Sequence, residues 1–248
     1  MPSLEAGPWP TMEDMQTIGL IGGLSLYSTV EYYRVLNETV QRRRGGHSSA
    51  LVALQSLNFA EVRALQQAGA WKDAATLLAA AGRRCQDAGA DFVLICSNLM
   101  HRVADQVQAA IDVPLLHIGD AIVERARAYG WSRLGVLGAR WVMEEDFYVG
   151  RLSAAGLRIH VPNAEDRTTV DRVIFDELTQ GRFRPQSRAA YTSVIARLAE
   201  AGAEAVVLGC TEIGQLVGPE DSPLPLLDSM RVHAEAAADL ALRGLVRT

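Results

Sequence analysis

Short apolar runs alternate along this chain with longer segments whose apolar positions recur at helical spacing, and the alternation continues to the end. Thr17 to Ile21 is an apolar run that stops at Gly22-Gly23 and predicts a buried strand. Ser28 to Arg43 carries Val30, Tyr33, Val35-Leu36 and Val40 at helical spacing, with Ser25 or Ser28 available as a cap. Ser49–Leu54, Phe92–Cys96 and Val113–Ile118 read as further strands, and Trp71–Ala88, His101–Ala110 and Ala121–Tyr129 as the helices between them. The remainder gives strands at Leu134–Leu137, Arg158–Val161 and Val206–Leu208. Its helices fall at Glu144–Ala155, Thr169–Thr179 and Ser187–Ala201, and after a Pro-rich return to Leu227 at Arg231–Arg243. Strands alternating with helices imply parallel sheets covered on both faces.

The two halves of this pattern repeat each other. Ala88-Gly89-Ala90-Asp91-Phe92-Val93-Leu94-Ile95-Cys96-Ser97 is echoed by Ala201-Gly202-Ala203-Glu204-Ala205-Val206-Val207-Leu208-Gly209-Cys210. Thr17-Ile18-Gly19-Leu20-Ile21-Gly22-Gly23 matches Arg133-Leu134-Gly135-Val136-Leu137-Gly138-Ala139, and Asp112-Val113-Pro114-Leu115-Leu116 matches Asp221-Ser222-Pro223-Leu224-Pro225. The order is kept and the spacing is nearly constant, so the expected fold is two pseudo-symmetric α/β domains, not a short-period solenoid. Ligands in such sheets sit beyond the carboxyl ends of the strands. Those ends are Gly22-Gly23, Ser97-Asn98, Gly138-Ala139 and Cys210-Thr211, which places four loops around one cleft between the domains.

Composition narrows the function. The chain has 248 residues, 49% of them apolar and 21% charged, with net charge −5. The one basic cluster, Arg42-Arg43-Arg44, reads as a solvated helix end, so no nucleic-acid partner is expected. No apolar run approaches the roughly 20 residues that span a membrane. Cys85, Cys96 and Cys210 show neither metal-type spacing nor a disulfide framework, which points to reduced thiols in the cytoplasm. Residues 1–16, with Pro2, Gly7, Pro8 and Pro10, read as a flexible leader.

In the alignment of the two halves Ser97 falls opposite Cys210, a hydroxyl against a thiol. Side chains on opposite walls of one cleft suit chemistry on the two faces of a single carbon. Cys210 lies at a strand end before an expected helix, where backbone N–H groups would lower its pKa and make it nucleophile and base. Ser97 is either its partner or a helix cap, because an unassisted hydroxyl is too weak a base to take a proton from carbon. Cys96 points to the opposite face and belongs in the core unless the register shifts; Cys85 is structural. Gly19, Gly22 and Gly23 do not meet the dinucleotide fingerprint and instead suit close approach of a ligand carboxylate to backbone amides. His101 and His117 could serve with Glu212 or Asp120 as acid–base groups; no ligand pattern supports a metal.

Gly22-Gly23, Ser28-Thr29, Tyr32-Tyr33, Asn58-Phe59, Asn98 and Met100-His101 stand as in the aspartate/glutamate racemase superfamily. So do His117-Ile118, Met143-Glu144, Phe147-Tyr148, Glu177-Leu178, Gly209-Cys210-Thr211-Glu212-Ile213 and His233-Ala234. From Thr17 to about Leu240 the chain resembles the broad-specificity amino-acid racemases of that superfamily most closely. The resemblance implies an enzyme free of pyridoxal phosphate and metal, and a homodimer acting on a small molecule. It implies Cys210 as one acid/base and Ser97 where a partner cysteine or threonine would stand. It also places Gly22, Gly23, Ser25, Asn98, Leu99, Gly138, Ala139, Thr211 and Glu212 at the substrate. The division that follows is a first domain over 17–117 plus 228–248 and a second over 118–227.

The departures bear on the substrate. The usual Asn-Thr is Asn98-Leu99, Gly-Thr is Gly138-Ala139, and the Thr before Met-Glu is Val142. The usual Asp-Thr-Thr is Asp228-Ser229-Met230, and Met-Ser-Trp-Glu-Ser is Leu24-Ser25-Leu26-Tyr27-Ser28. Each lost hydrogen bond to a charged ligand group costs about 1.5–3 kcal/mol, so an altered, less polar substrate is expected. Three functions stay open: a racemase or epimerase; a one-cysteine decarboxylase or isomerase, with a variant acting on a larger, tailored biosynthetic metabolite; and a non-catalytic binder. Arg63, Arg140, Arg167 and Arg188 are candidates to hold a substrate anion.

Overall fold

The computed structural model of the chain describes residues 15–243. In order the elements are β1 (Ile18–Gly22), α1 (Leu26–Arg44), β2 (Val52–Ser56), α2 (Phe59–Gln67), α3 (Trp71–Asp87), β3 (Phe92–Ile95), α4 (Ala104–Gln108) and α5 (Ile118–Tyr129). There follow β4 (Arg133–Gly138), α6 (Arg140–Glu144), α7 (Val149–Ala154), β5 (Arg158–His160), α8 (Ala164–Asp176), α9 (Pro185–Glu200), β6 (Ala205–Gly209), α10 (Ile213–Leu216), β7 (Leu226–Asp228) and α11 (Ser229–Arg243).

The duplication is visible in the sheets. One runs β2-β1-β3, extended by a parallel bridge from Val93 to Leu115, and the other runs β5-β4-β6-β7; every pairing is parallel. Both therefore follow one strand order. The acid of each repeated phrase does the same work in both: Asp91 Oδ2 accepts from the Thr17 N–H at 2.7 Å, and Glu204 Oε2 accepts from the Arg133 N–H at 2.9 Å. A glycine at positive φ, Gly89 (87°) or Gly202 (94°), turns the chain from the preceding helix into this phrase.

Period-two alternation sorts the first sheet's side chains between two helical layers. Ile18, Leu20, Phe92, Leu94 and Cys96 pack with Tyr32, Leu36, Ala234 and Ala237 of α1 and α11. Ile21, Val93 and Ile95 face the other way, toward Leu78 and Ala81 of α3 and Val107 of α4. The second sheet packs into one continuous core with α5, α8 and α9. The chain thus leaves the first sheet after Leu116, and α11 carries it back. Trp71 and Trp141 meet edge to face between the halves, 5.8 Å apart, while Trp131 stacks on Tyr129. Among the described residues no helix is long and apolar enough to cross a membrane.

Several expectations need correction. Met15 is buried in the first core and the Gln16 N–H bonds to Ala241 O, so the leader does not reach residue 16; residues 1–14 lie outside the described part. The region 57–70, not assigned from sequence, forms α2, capped by Asn58. Val113–Ile118 contributes one bridge instead of a strand, because His117 already caps α5. Within Glu144–Ala155 the helix is α7, Val149–Ala154, while Glu144 ends the separate α6 that starts at Arg140; α8 begins earlier than expected and stops at Asp176.

Candidate active site

The loops after β1, β3, β4 and β6 meet in one cleft enclosing about 490 Å³, part of it open to solvent. Ser25, Ser97, Asn98, Leu99, Ala139, Cys210, Thr211 and Glu212 all line it. Ser97 and Cys210 are half-buried on loops from different halves of the repeat, so the hydroxyl and the thiol share one space.

Glu212 organises the Cys210 wall. Its Oε2 accepts from the Cys210 thiol at 3.1 Å and from Thr211 Oγ1 at 2.5 Å, and its Oε1 accepts from Ser25 Oγ at 2.6 Å across the cleft. Glu212 is buried, and among the described residues no Arg, Lys or His lies within ion-pair distance of it. Burial first, and the Glu212 charge second, hold the Cys210 thiol well above its ordinary pKa. This reverses the expectation of a lowered value. The helix after Cys210 has four residues and starts only at Ile213, so its positive end is weak beside an adjacent carboxylate.

Ser97 sits in a tight turn. Its N–H bonds to Ile95 O, its carbonyl accepts from His101 Nδ1 at 2.7 Å, and its hydroxyl accepts from the Met100 N–H at 3.4 Å. Among the described residues no side-chain base stands within hydrogen-bond reach of the Ser97 hydroxyl. Cys96 is fully buried in the first core with a thiol pushed strongly up by burial, and Cys85 is buried and pushed up to about 11.

Asn98 ties the halves together. Tyr148 donates to its Oδ1 at 2.7 Å, its Nδ2 donates to Ser229 Oγ at 3.0 Å, and Ser229 donates to Leu208 O at 2.6 Å. Of the apolar departures, Leu99 and Ala139 face the cleft. Val142 instead packs beneath the strand ends, where a Cβ on Gly138 would come within 2.9 Å of it.

Gly22 and Gly23 serve packing rather than ligand approach. The Gly23 N–H is taken by Thr29 Oγ1 at 2.9 Å, and at φ +71° a Cβ there would lie 2.0 Å from Leu57 O. Gly22, Gly23 and Gly138 do not line the cleft. His101 and His117 do not meet Glu212: they join His233 in a buried trio, with ring centroids 4.4 and 5.7 Å from His101. Carbonyl partners fix the protons: His101 Nδ1 donates to Ser97 O and its Nε2 accepts from the Ile118 N–H, while His233 Nε2 donates to Leu116 O and its Nδ1 accepts from Tyr32. Burial keeps all three neutral, with His117 near 3 and His233 near 4. Asp120 pairs with Arg151. Among the described residues no group of His, Cys, Asp or Glu is placed to hold a metal ion. Sequence reasoning missed Gln66, Ile174, Phe175 and Thr179, which complete the cleft from α2, from α8 and from just beyond it. The Asn58 cap followed by Val62, Leu65 and Gln66 was the available signal for α2.

Paired parallel sheets of one strand order and a strand-end cleft lined by both halves define a two-domain α/β fold of the racemase type. The chain belongs to the Asp/Glu/hydantoin racemase family, whose sequence pattern matches residues 21–237. Membership supports racemase or epimerase chemistry, an isomerase, as the class of activity. A protein from Yersinia pestis described as a candidate Asp/Glu racemase is 43% identical, with TM-score 0.87 over 92% of this chain and 100% of that one. An aspartate racemase homologue from Pyrococcus horikoshii is 30% identical, with TM-score 0.78 over 92% and 99%. A mutant arylmalonate decarboxylase is 16% identical, with TM-score 0.50 over 91% and 93%, and shares the fold alone.

Proposed function

We propose that the chain is a cofactor-independent racemase or epimerase acting at the α-carbon of an amino acid, with Cys210 serving one face and Ser97, or a water it holds, the other. The observation that carries this reading is Glu212, a buried carboxylate with hydroxyl and thiol donors but, among the described residues, no cation within ion-pair distance. A buried anion without a counter-charge is costly, and an α-ammonium in the cleft supplies one. Its charge also offsets the repulsion that holds the Cys210 thiol protonated, so the thiol proton leaves to solvent as substrate docks. The thiolate then takes the Cα proton, and the resulting carbanion is protonated from the Ser97 hydroxyl or a water it holds, which regains its proton from solvent. One proton leaves one face and one arrives at the other.

The second reading is a one-cysteine decarboxylase, favoured by Leu99 and Ala139 in the cleft. A dianionic malonate would be repelled by Glu212, which puts this reading second. Proton NMR in D₂O with amino acids and substituted malonates, wild type beside Cys210→Ala, decides. Cα exchange that vanishes in the variant supports the racemase; CO₂ release with one deuteron gained replaces it with the decarboxylase.

The assembly proposed is a homodimer. Leu26, Val30 and Tyr33, spaced along α1, are 65%, 61% and 54% exposed beside Leu54 on the outer strand β2. A row of this kind suits a subunit contact. Sedimentation of Val30→Asp as a monomer beside a dimeric wild type is the expected result; a monomeric wild type refutes the assembly.

A further inference from the structure

Given that reading, the walls of the cleft specify the side chain of the substrate. Leu24, Phe59, Leu99, Ala139, Ile174 and Phe175 form its apolar surface, with Gln66 and Thr179 as neutral polar additions. Its one carboxylate is Glu212, and among the described residues no Arg, Lys or His lines it.

The candidate arginines are all engaged elsewhere. Arg140 pairs with Glu144, Arg167 pairs with Glu144 and donates to Pro162 O, and Arg188 pairs with Asp221. Arg63 is the near miss. Among the described residues no carboxylate stands within ion-pair distance of it. Its guanidinium lies 3.7 Å from the Phe175 ring centroid and donates to Gln66 Oε1 at 3.3 Å. Phe175 and Gln66 line the cleft and Arg63 does not, so the cation is held behind these two side chains. The stacking is itself favourable, which keeps the guanidinium there.

We propose that the cleft takes α-amino acids with an uncharged, apolar side chain, such as leucine, methionine or phenylalanine, and discriminates against aspartate and glutamate. The α-ammonium sits at Glu212, and the side chain extends between Phe59, Ile174 and Phe175. A second carboxylate placed there would meet no positive group and would share the site with the Glu212 anion, an arrangement that is penalised in a partly desolvated space. Similarity to Asp/Glu racemases points toward aspartate and glutamate; the lining of this cleft points away from them.

The test is the initial rate of Cα–H exchange in D₂O, by NMR, for both enantiomers of leucine, methionine, phenylalanine, aspartate and glutamate with the full-length chain. Apolar amino acids are expected to exchange at least about tenfold faster per mole of enzyme than the dicarboxylic ones. Equal or faster exchange of aspartate or glutamate overturns the substrate class while leaving the racemase reading intact. Loss of that exchange in Arg63→Gln would then show that Arg63 swings off Phe175 to bind the second carboxylate. Exchange of none of them overturns both. Thr179→Arg, which adds a cation to the wall, is expected to raise the glutamate rate relative to leucine; no change in that ratio counts against the proposed path of the side chain.

Discussion

The Cys210 thiol donates to a carboxylate oxygen of Glu212 at 3.1 Å, and that carboxylate is fixed from the other half of the molecule by Ser25 at 2.6 Å. Burial and the neighbouring Glu212 keep the thiol protonated, and in the proposed reaction it turns into a base when the substrate ammonium arrives beside Glu212. Ser25 is also the N-cap of α1, so the residue that starts this helix also holds the carboxylate beside the thiol.

Glu212→Gln tests this coupling. Removing the charge takes away the second cause of the raised thiol pKa, so the pH midpoint for alkylation of Cys210 by iodoacetamide should fall. Mass spectrometry distinguishes Cys210 from the buried Cys85 and Cys96. Cα exchange should be lost in the same variant because the ammonium has no partner. A thiol made more reactive while catalysis disappears separates this role from simple misfolding. An unchanged alkylation profile would refute it.

The chain from Tyr148 through Asn98 and Ser229 to Leu208 O is buried along its length. Ser229→Ala strands the Asn98 amide and should cost about 1–3 kcal/mol in urea unfolding, as should Asn98→Ala, which strands Tyr148. In a double-mutant cycle Tyr148→Phe and Ser229→Ala should couple by at least about 0.5 kcal/mol, since both act through one amide. Additive losses would mean that the links are independent.

Much of this architecture was legible because duplication prints itself twice. The phrases ending in Ser97 and Cys210 lead to equivalent strands in two sheets of one strand order, and Asp91 and Glu204 bind the first strand of each half in the same way. The four strand-end loops were readable for the same reason. What escaped were features that depend on tertiary neighbours. The short β7 takes its strand identity from β6, since alone it is three residues beside prolines. Helix α2 is short, and only packing of Val62 and Gln66 shows which face it buries. The raised pKa of Cys210 depends on burial by tertiary neighbours and then on a carboxylate two residues away, whose direction no local pattern specifies. Gly23 was misread because its amide partner, Thr29, lies in the next helix.

His117 caps α5 by accepting the Gly119 N–H at Nδ1, 3.0 Å away, and does so only while neutral. Burial first, and the Arg151 charge second, lower its pKa to about 3 from 6.5. A depressed folded-state pKa means that its contribution is complete above about pH 6.5 and is lost as pH falls toward 3. His233 adds a loss over a window that ends near pH 4. His117→Asn keeps a capping acceptor without the titration. It should match wild-type stability at neutral pH and lose less on acidification, by up to about 1.4 kcal/mol per pH unit. His117→Ala should cost about 1 kcal/mol already at neutral pH. Parallel pH profiles for wild type and His117→Asn in urea unfolding would exclude this origin of acid sensitivity.

Ser97 offers a hydroxyl without a base, which makes the two sides of the proposed reaction unequal. The equilibrium constant between enantiomers is unity, so the two kcat/KM values must still be equal. The inequality shows instead in isotope traffic. Ser97→Ala should keep Cα–D exchange with retained configuration for the enantiomer whose Cα–H faces Cys210, while interconversion falls by about 10²-fold or more. Ser97→Cys places a better acid/base at the same position and should raise interconversion above wild type. Chiral chromatography beside NMR reads both quantities in one reaction. If Ser97→Ala interconverts enantiomers at the wild-type rate, the second face is served by a group other than Ser97, and the Met100 N–H bond that its hydroxyl accepts is its whole function.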